Sequence, residues 1–155
     1  MMELLWLLGK DAVWSAIPAV GFAMLFNVPP RMLKYCAMGG ALAHSLRTLL
    51  IHYGMPIEWA TLAASTTVGF VCVYWSRRLL APRPVFSVAS IIPMIPGSYA
   101  FKAMIAVVEL NISGVTTELI HHAVTNGLKV LFIVGALSFG LAIPSLVVYR
   151  NRPII

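Results

Sequence analysis

Apolar runs long enough to cross a lipid bilayer follow one another along almost the whole chain, with the charges gathered mostly in the short stretches between them. A helical span takes roughly 20 residues to cross about 30 Å of hydrocarbon. Hydrocarbon offers the backbone no hydrogen-bond partner, so a spanning segment must satisfy its own amides, as a helix does. Composition carries the same constraint. Of 155 residues, 60% are hydrophobic and only 10% charged, and the mean hydropathy is +0.90. A soluble domain needs a larger polar fraction to cover its surface. The expected fold is all-α: one polytopic transmembrane domain over residues 1–155, with no room left for a soluble catalytic domain.

The net charge of +6 does not point to nucleic acid. The basic residues sit between apolar segments, which is how membrane topology is set. The start "MMELLWLLGKD" has no basic n-region and no cleavage site, so a signal peptide is not expected.

Five spans are expected, at about 4–27, 33–51, 57–75, 85–110 and 119–149. Arg31 and Lys34 lie between the first and second, Arg77, Arg78 and Arg83 between the third and fourth, and Arg150 and Arg152 at the end. The other two loops, "HYGMPIE" and "NISGVTTE", hold no Lys or Arg and lie near Glu58, Glu109 and Glu118. Five spans put every basic loop on one side, which sets the N-terminus outside and the C-terminus in the cytoplasm. Tyr53 and Trp59 then mark the outer interface, and Tyr35, Tyr74, Trp75 and Tyr149 the inner one. Lys10 and Asp11 fit the outer interface if residues 2–9 lie along the surface.

The fourth segment contains "SIIPMIPGSYAFKAM". Proline removes a backbone donor and clashes with the preceding turn, so Pro93, Pro96 and Gly97 do not fit one regular helix. The reading is two half-helices with a break near Met94 to Gly97, the second starting at about Ser98. Its exposed N–H groups carry about half a positive charge, and Ser98 and Lys102 share its face. Together they form an anion cradle of the kind that broken helices supply in transporters. The plainer reading is a proline kink, which suffices for Pro18 and Pro144.

On the second segment, His44 and Arg47 share a face with Gly40. A charge well inside a span costs about 2.5–3.5 kcal/mol. Arg47 therefore either lines a pathway or snorkels to the outer headgroups. His44 is the candidate for proton coupling, against a plain role in packing and hydrogen bonding. On the fifth segment His122, Asn126 and Lys129 form one polar stripe, which lines a pathway or meets another subunit. His121 and His122 have no third ligand at a suitable spacing, so no metal is expected. Ala64, Ser65 and Gly69, like Gly39 and Ala43, let helices approach closely. Cys36 and Cys72 read as small apolar packing residues. The deep cations Arg47, Lys102 and Lys129 have no equally deep acid unless Asp11 is drawn in. The missing counter-charge is then a partner protein's, or the substrate's. No nucleophile–base pairing appears, so an enzyme is not expected, nor is any cofactor.

The stretches "AIPAVGFAMLFNVP", "GGALAHSLR", "PVFSVASIIPMIPGSYAFKAM" and "IVGALSFGLAIPSL" together resemble the threonine/serine exporter family, specifically the small (YjjB-like) subunit of its split, two-component members. The resemblance covers nearly the whole chain. It implies an inner-membrane secondary exporter that works with a larger subunit and uses the proton gradient. The implied cargo is threonine and serine, or a dicarboxylate such as succinate. The expected site is Ser98, Lys102, Arg47, Asn126 and Lys129, around the break at Pro93, Pro96 and Gly97. A membrane scaffold that only stabilises a partner protein is the alternative.

Overall fold

The computed structural model describes residues 2–149. Arg150 and Arg152, the expected basic end, lie outside the described residues, as does the side chain of Tyr149. Every regular element among the described residues is helical. These are α1 (Met2–Leu25), α2 (Pro30–His52), α3 (Ile57–Leu79), α4 (Pro84–Ile91), a 3-10 turn (Ile92–Met94), α5 (Gly97–Ser113) and α6 (Thr117–Tyr149). Prolines set the starts. Pro30 and Pro84 occupy first-turn positions, where a missing N–H costs nothing, and Pro56 precedes α3.

By length and apolarity, α3 and α6 qualify as membrane-crossing helices, and a third qualifies if α4 to α5 is taken as one interrupted span. At 1.5 Å per residue, α1 and α2 are also long enough, but they are not in that set. Inside their length they carry Asp11, His44, Arg47 and Thr48, which form the cluster described below.

The chain divides into two compact units. The first comprises the described parts of Met1–Met94 and Ala136–Ile155. Helix α2 is its hub, packed by α1, α3, α4 and the 3-10 turn. Small side chains make that possible. On α1 the buried residues are Ser15, Ala19 and Ala23, one turn apart; on α2 they are Cys36, Gly39, Gly40 and Ala43. A methyl on Gly40 would lie 2.6 Å from the Ala19 Cβ and 3.1 Å from the Ser15 carbonyl, so the two backbones approach only because Gly40 has no side chain. At the other end of α2, Tyr35, Trp75 and Phe86 form an aromatic cluster with ring centroids 5.2–6.3 Å apart. Cys36 and Cys72 are free and buried. Helix α3 meets the last part of α6 through the Ser65 hydroxyl, which donates to the Ala136 carbonyl at 3.2 Å.

The second unit is Ile95–Gly135, comprising α5 and the first part of α6. Gly114, at φ +87°, ends α5, and the Leu119 N–H donates to the Thr116 hydroxyl as α6 begins. Only Ala106 of α5 is buried, whereas Phe101, Met104, Val107 and Ile112 are exposed. An apolar surface of this kind belongs against lipid or another apolar protein face.

Gly40→Ala is expected to destabilise the protein by about 1–3 kcal/mol through overpacking. Gly21→Ala is the control: its new methyl meets nothing within 4 Å, and helix propensity favours alanine by up to about 1 kcal/mol. Thermal unfolding of both variants in lipid nanodiscs checks the contrast.

Candidate functional site

The interrupted segment fixes the geometry. Helix α4 ends at Ile91, the chain makes one 3-10 turn through Pro93, and α5 begins at Gly97. Pro96 sits at φ −79°, ψ 55°, and the Gly97 N–H donates to the Ile95 carbonyl at 2.8 Å. That is an inverse γ-turn, the tightest way to leave one helix and enter another. No side chain caps the start of α5.

Such a break leaves carbonyls without their usual helical donors. At Met94, whose residue is buried, the gap is filled by Arg47: its Nη1 donates to the Met94 carbonyl at 2.8 Å. The other hand of the guanidinium, Nη2, lies 2.8 Å from Nε2 of His44. His44 in turn places Nδ1 3.2 Å from Oδ2 of Asp11. Thr48 donates its hydroxyl to the same carboxylate oxygen. Asp11 and His44 are about one quarter exposed, so the chain of contacts is largely screened from solvent.

Donor and acceptor chemistry determines the protonation of this chain. A guanidinium offers only donors, so Nε2 of His44 must be the acceptor. A neutral imidazole then carries its proton on Nδ1, which donates to the Asp11 carboxylate. Asp11 and Arg47 thus balance in charge across a neutral ring. The helix geometry supplies the register. His44, Arg47 and Thr48 lie on one face of α2, one turn beyond Gly40. Asp11 continues the Ser15, Ala19, Ala23 stripe of α1 by one further turn.

The other expected site residues lie in the second unit. Ser98 and Lys102 are exposed, one turn apart on α5. Lys129 places its ammonium over the Tyr99 ring, 5.1 Å from the centroid, a cation–π contact. Asn126 donates to the His122 carbonyl at 2.8 Å, a bond within its own helix. Among the described residues, neither Lys102 nor Lys129 pairs with a carboxylate. His121 accepts from or donates to Thr125 at 3.0 Å, and no group of three metal-ligating side chains forms among the described residues. Sequence reasoning did not assign Asp11, Thr48, Tyr99 or the Met94 carbonyl. For Asp11 a signal existed: it is the one acid in register with the small-residue stripe of α1.

A family model described as "Threonine/Serine exporter, ThrE" matches residues 11–147. The chain belongs to the threonine/serine exporter family. An uncharacterized protein of Haemophilus influenzae is 48% identical over 155 residues, all of this chain and 51% of the relative. The chain therefore spans about half the length of this relative. No solved structure matches the chain. Together with the apolar helices, membership makes this a membrane protein.

The contacts from Asp11 to Met94 act as a unit, so their energies should not add. Asp11→Ala and His44→Ala are each expected to cost about 1–3 kcal/mol, because each strands a polar partner. The double variant should cost less than the sum by about 0.5–3 kcal/mol. A double-mutant cycle on unfolding in nanodiscs measures the coupling, and strict additivity would show that the contacts are independent.

Proposed function

We propose that this chain is one subunit of a proton-coupled secondary exporter of small carboxylates in the bacterial inner membrane. It crosses the membrane five times with its N-terminus outside and its C-terminus in the cytoplasm, and α4 with α5 forms one broken span. It acts with a larger membrane subunit, and it carries threonine and serine or a dicarboxylate such as succinate. Family membership supports the transport class. The half-length match to the Haemophilus influenzae relative supports a division of labour between two parts.

The observation that carries the reading is Arg47 against the break. A permanent cation sits half-buried on a helix and holds the carbonyl of Met94, where the helical ladder is interrupted. Irregular backbone at membrane depth survives only when buried in protein or lining a wet cavity. A charge there marks a substrate or ion path. In this reading, the uncapped start of α5 with Ser98 and Lys102 receives a carboxylate. Arg47, Asn126 and Lys129 assist, and His44 handles the proton. The unpaired ammonium groups find their counter-charge in the cargo, which keeps the desolvated cations from remaining uncompensated.

The test is reconstitution with the larger subunit in vesicles, under an imposed proton gradient, with labelled threonine, serine and succinate. One of these should move only when both subunits are present. Lys102→Ala should lower the rate about tenfold to a hundredfold, the loss of one charge-assisted hydrogen bond, with complex assembly unchanged. If Lys102→Ala and Lys129→Ala instead lose assembly while the assembled fraction transports normally, the chain is a scaffold.

A further inference from the structure

His44 is held between a carboxylate and a guanidinium, and the two neighbours favour the same tautomer. Asp11 draws the ring proton to Nδ1. Arg47 needs the lone pair on Nε2. The charged groups acting on His44 are Arg47 from its own helix and Asp11 from α1. Lys10, beside Asp11, is exposed. Helix α4 carries no ionisable side chain, and the 3-10 turn contributes only the neutral Met94 carbonyl, through Arg47. On α3 the charges are confined to Glu58 in the first turn and Arg77 and Arg78 in the last, and none of them acts on His44.

We propose that Asp11 is the positioning residue of a proton-controlled carboxylate switch: it fixes His44 as the Nδ1–H tautomer, so that Nε2 retains Arg47 when bare and releases it to a carboxylate when protonated. The step is an ordinary proton transfer. Hydronium gives its proton to the Nε2 lone pair, an N–H bond forms, and water leaves. The hydrogen bond from Arg47 to Nε2 is lost, because two donors and two positive charges then face each other. Arg47 loses its hold on the ring. The new imidazolium also adds positive charge beside it. Both effects favour an anion at Arg47. Without Asp11, nothing on α1 holds the ring proton at Nδ1, and only Arg47 still favours that tautomer.

Linkage requires the reverse effect as well: a carboxylate bound at Arg47 must favour the proton on His44. Coupling of this sign makes the proton and the carboxylate favour each other's binding at this cluster. The carboxylate half of the proposal rests on the export reading above; the tautomer half does not.

The test is nitrogen-15 NMR of the full chain in nanodiscs, labelled at the histidine rings. His44→Gln identifies the His44 signals. At neutral pH the wild type should show His44 as Nδ1–H with Nε2 bare. In Asp11→Ala the Nδ1–H tautomer should lose population to Nε2–H, and Asp11→Glu should restore the wild-type pattern. An Nε2–H ring in the wild type, or an unchanged ring in Asp11→Ala, overturns the positioning role. Threonine and succinate are then added separately while His44 is titrated. At least one should raise the midpoint pH of His44 protonation in the wild type, and the rise should be lost in Arg47→Gln. A midpoint that falls or stays put with both probes overturns the switch, a fall being the sign of proton-for-carboxylate exchange. Vesicles that transport neither probe while the midpoint still rises would sink the export reading and leave this inference standing.

Discussion

The carbonyl of Met94 cannot be left without a donor. It stands at the end of a 3-10 turn whose helix does not continue, on a buried residue, in a chain built for a solvent that donates nothing. Arg47 supplies the donor, and the rest of the polar architecture follows from that choice. A guanidinium placed among helices needs a counter-charge. Asp11 provides it from α1, through the ring of His44. To bring Asp11 within reach, α1 must approach α2 closely, and Gly40 against Ala19 and Ser15 allows it. One unsatisfied backbone group thus accounts for a glycine, an acid, a histidine and an arginine drawn from two helices.

The same cluster gives Asp11, His44 and Arg47, which lie inside α1 and α2, their partners. Their polar side chains are spent on one another and on the break rather than displayed to lipid. Burial of a charge without such partners is costly, and the arrangement lowers that cost by linking Arg47 to Asp11 through two hydrogen bonds on the His44 ring. Within the second unit the logic differs. Lys129 rests on an aromatic ring, and Lys102 is exposed on a helix that is otherwise apolar at its surface. Among the described residues, neither pairs with a carboxylate.

Much of this could be read from residue types alone. Proline chemistry is local: Pro93, Pro96 and Gly97 interrupt a helix whatever surrounds them, and the break lies between Ile91 and Gly97. Arg47 and His44 share a helix face by spacing alone, and Gly40 sits one turn before them. Asp11 was less legible. It is separated from His44 by 33 positions, and a register shift of one residue between α1 and α2 would turn its carboxylate away. Spacing also could not show which acceptor Arg47 takes, because a backbone carbonyl has no signature in a sequence.

The residue order by itself determined the class of solvent, the helical answer to it, and the place where one helix must stop, since each depends only on hydropathy and on backbone chemistry within a few residues. Tertiary structure alone decided that Asp11 and Met94 are the partners of His44 and Arg47. Those contacts exist only because glycine and alanine let particular helices meet at one particular register, and hydrogen bonds are too short-ranged to form at any other.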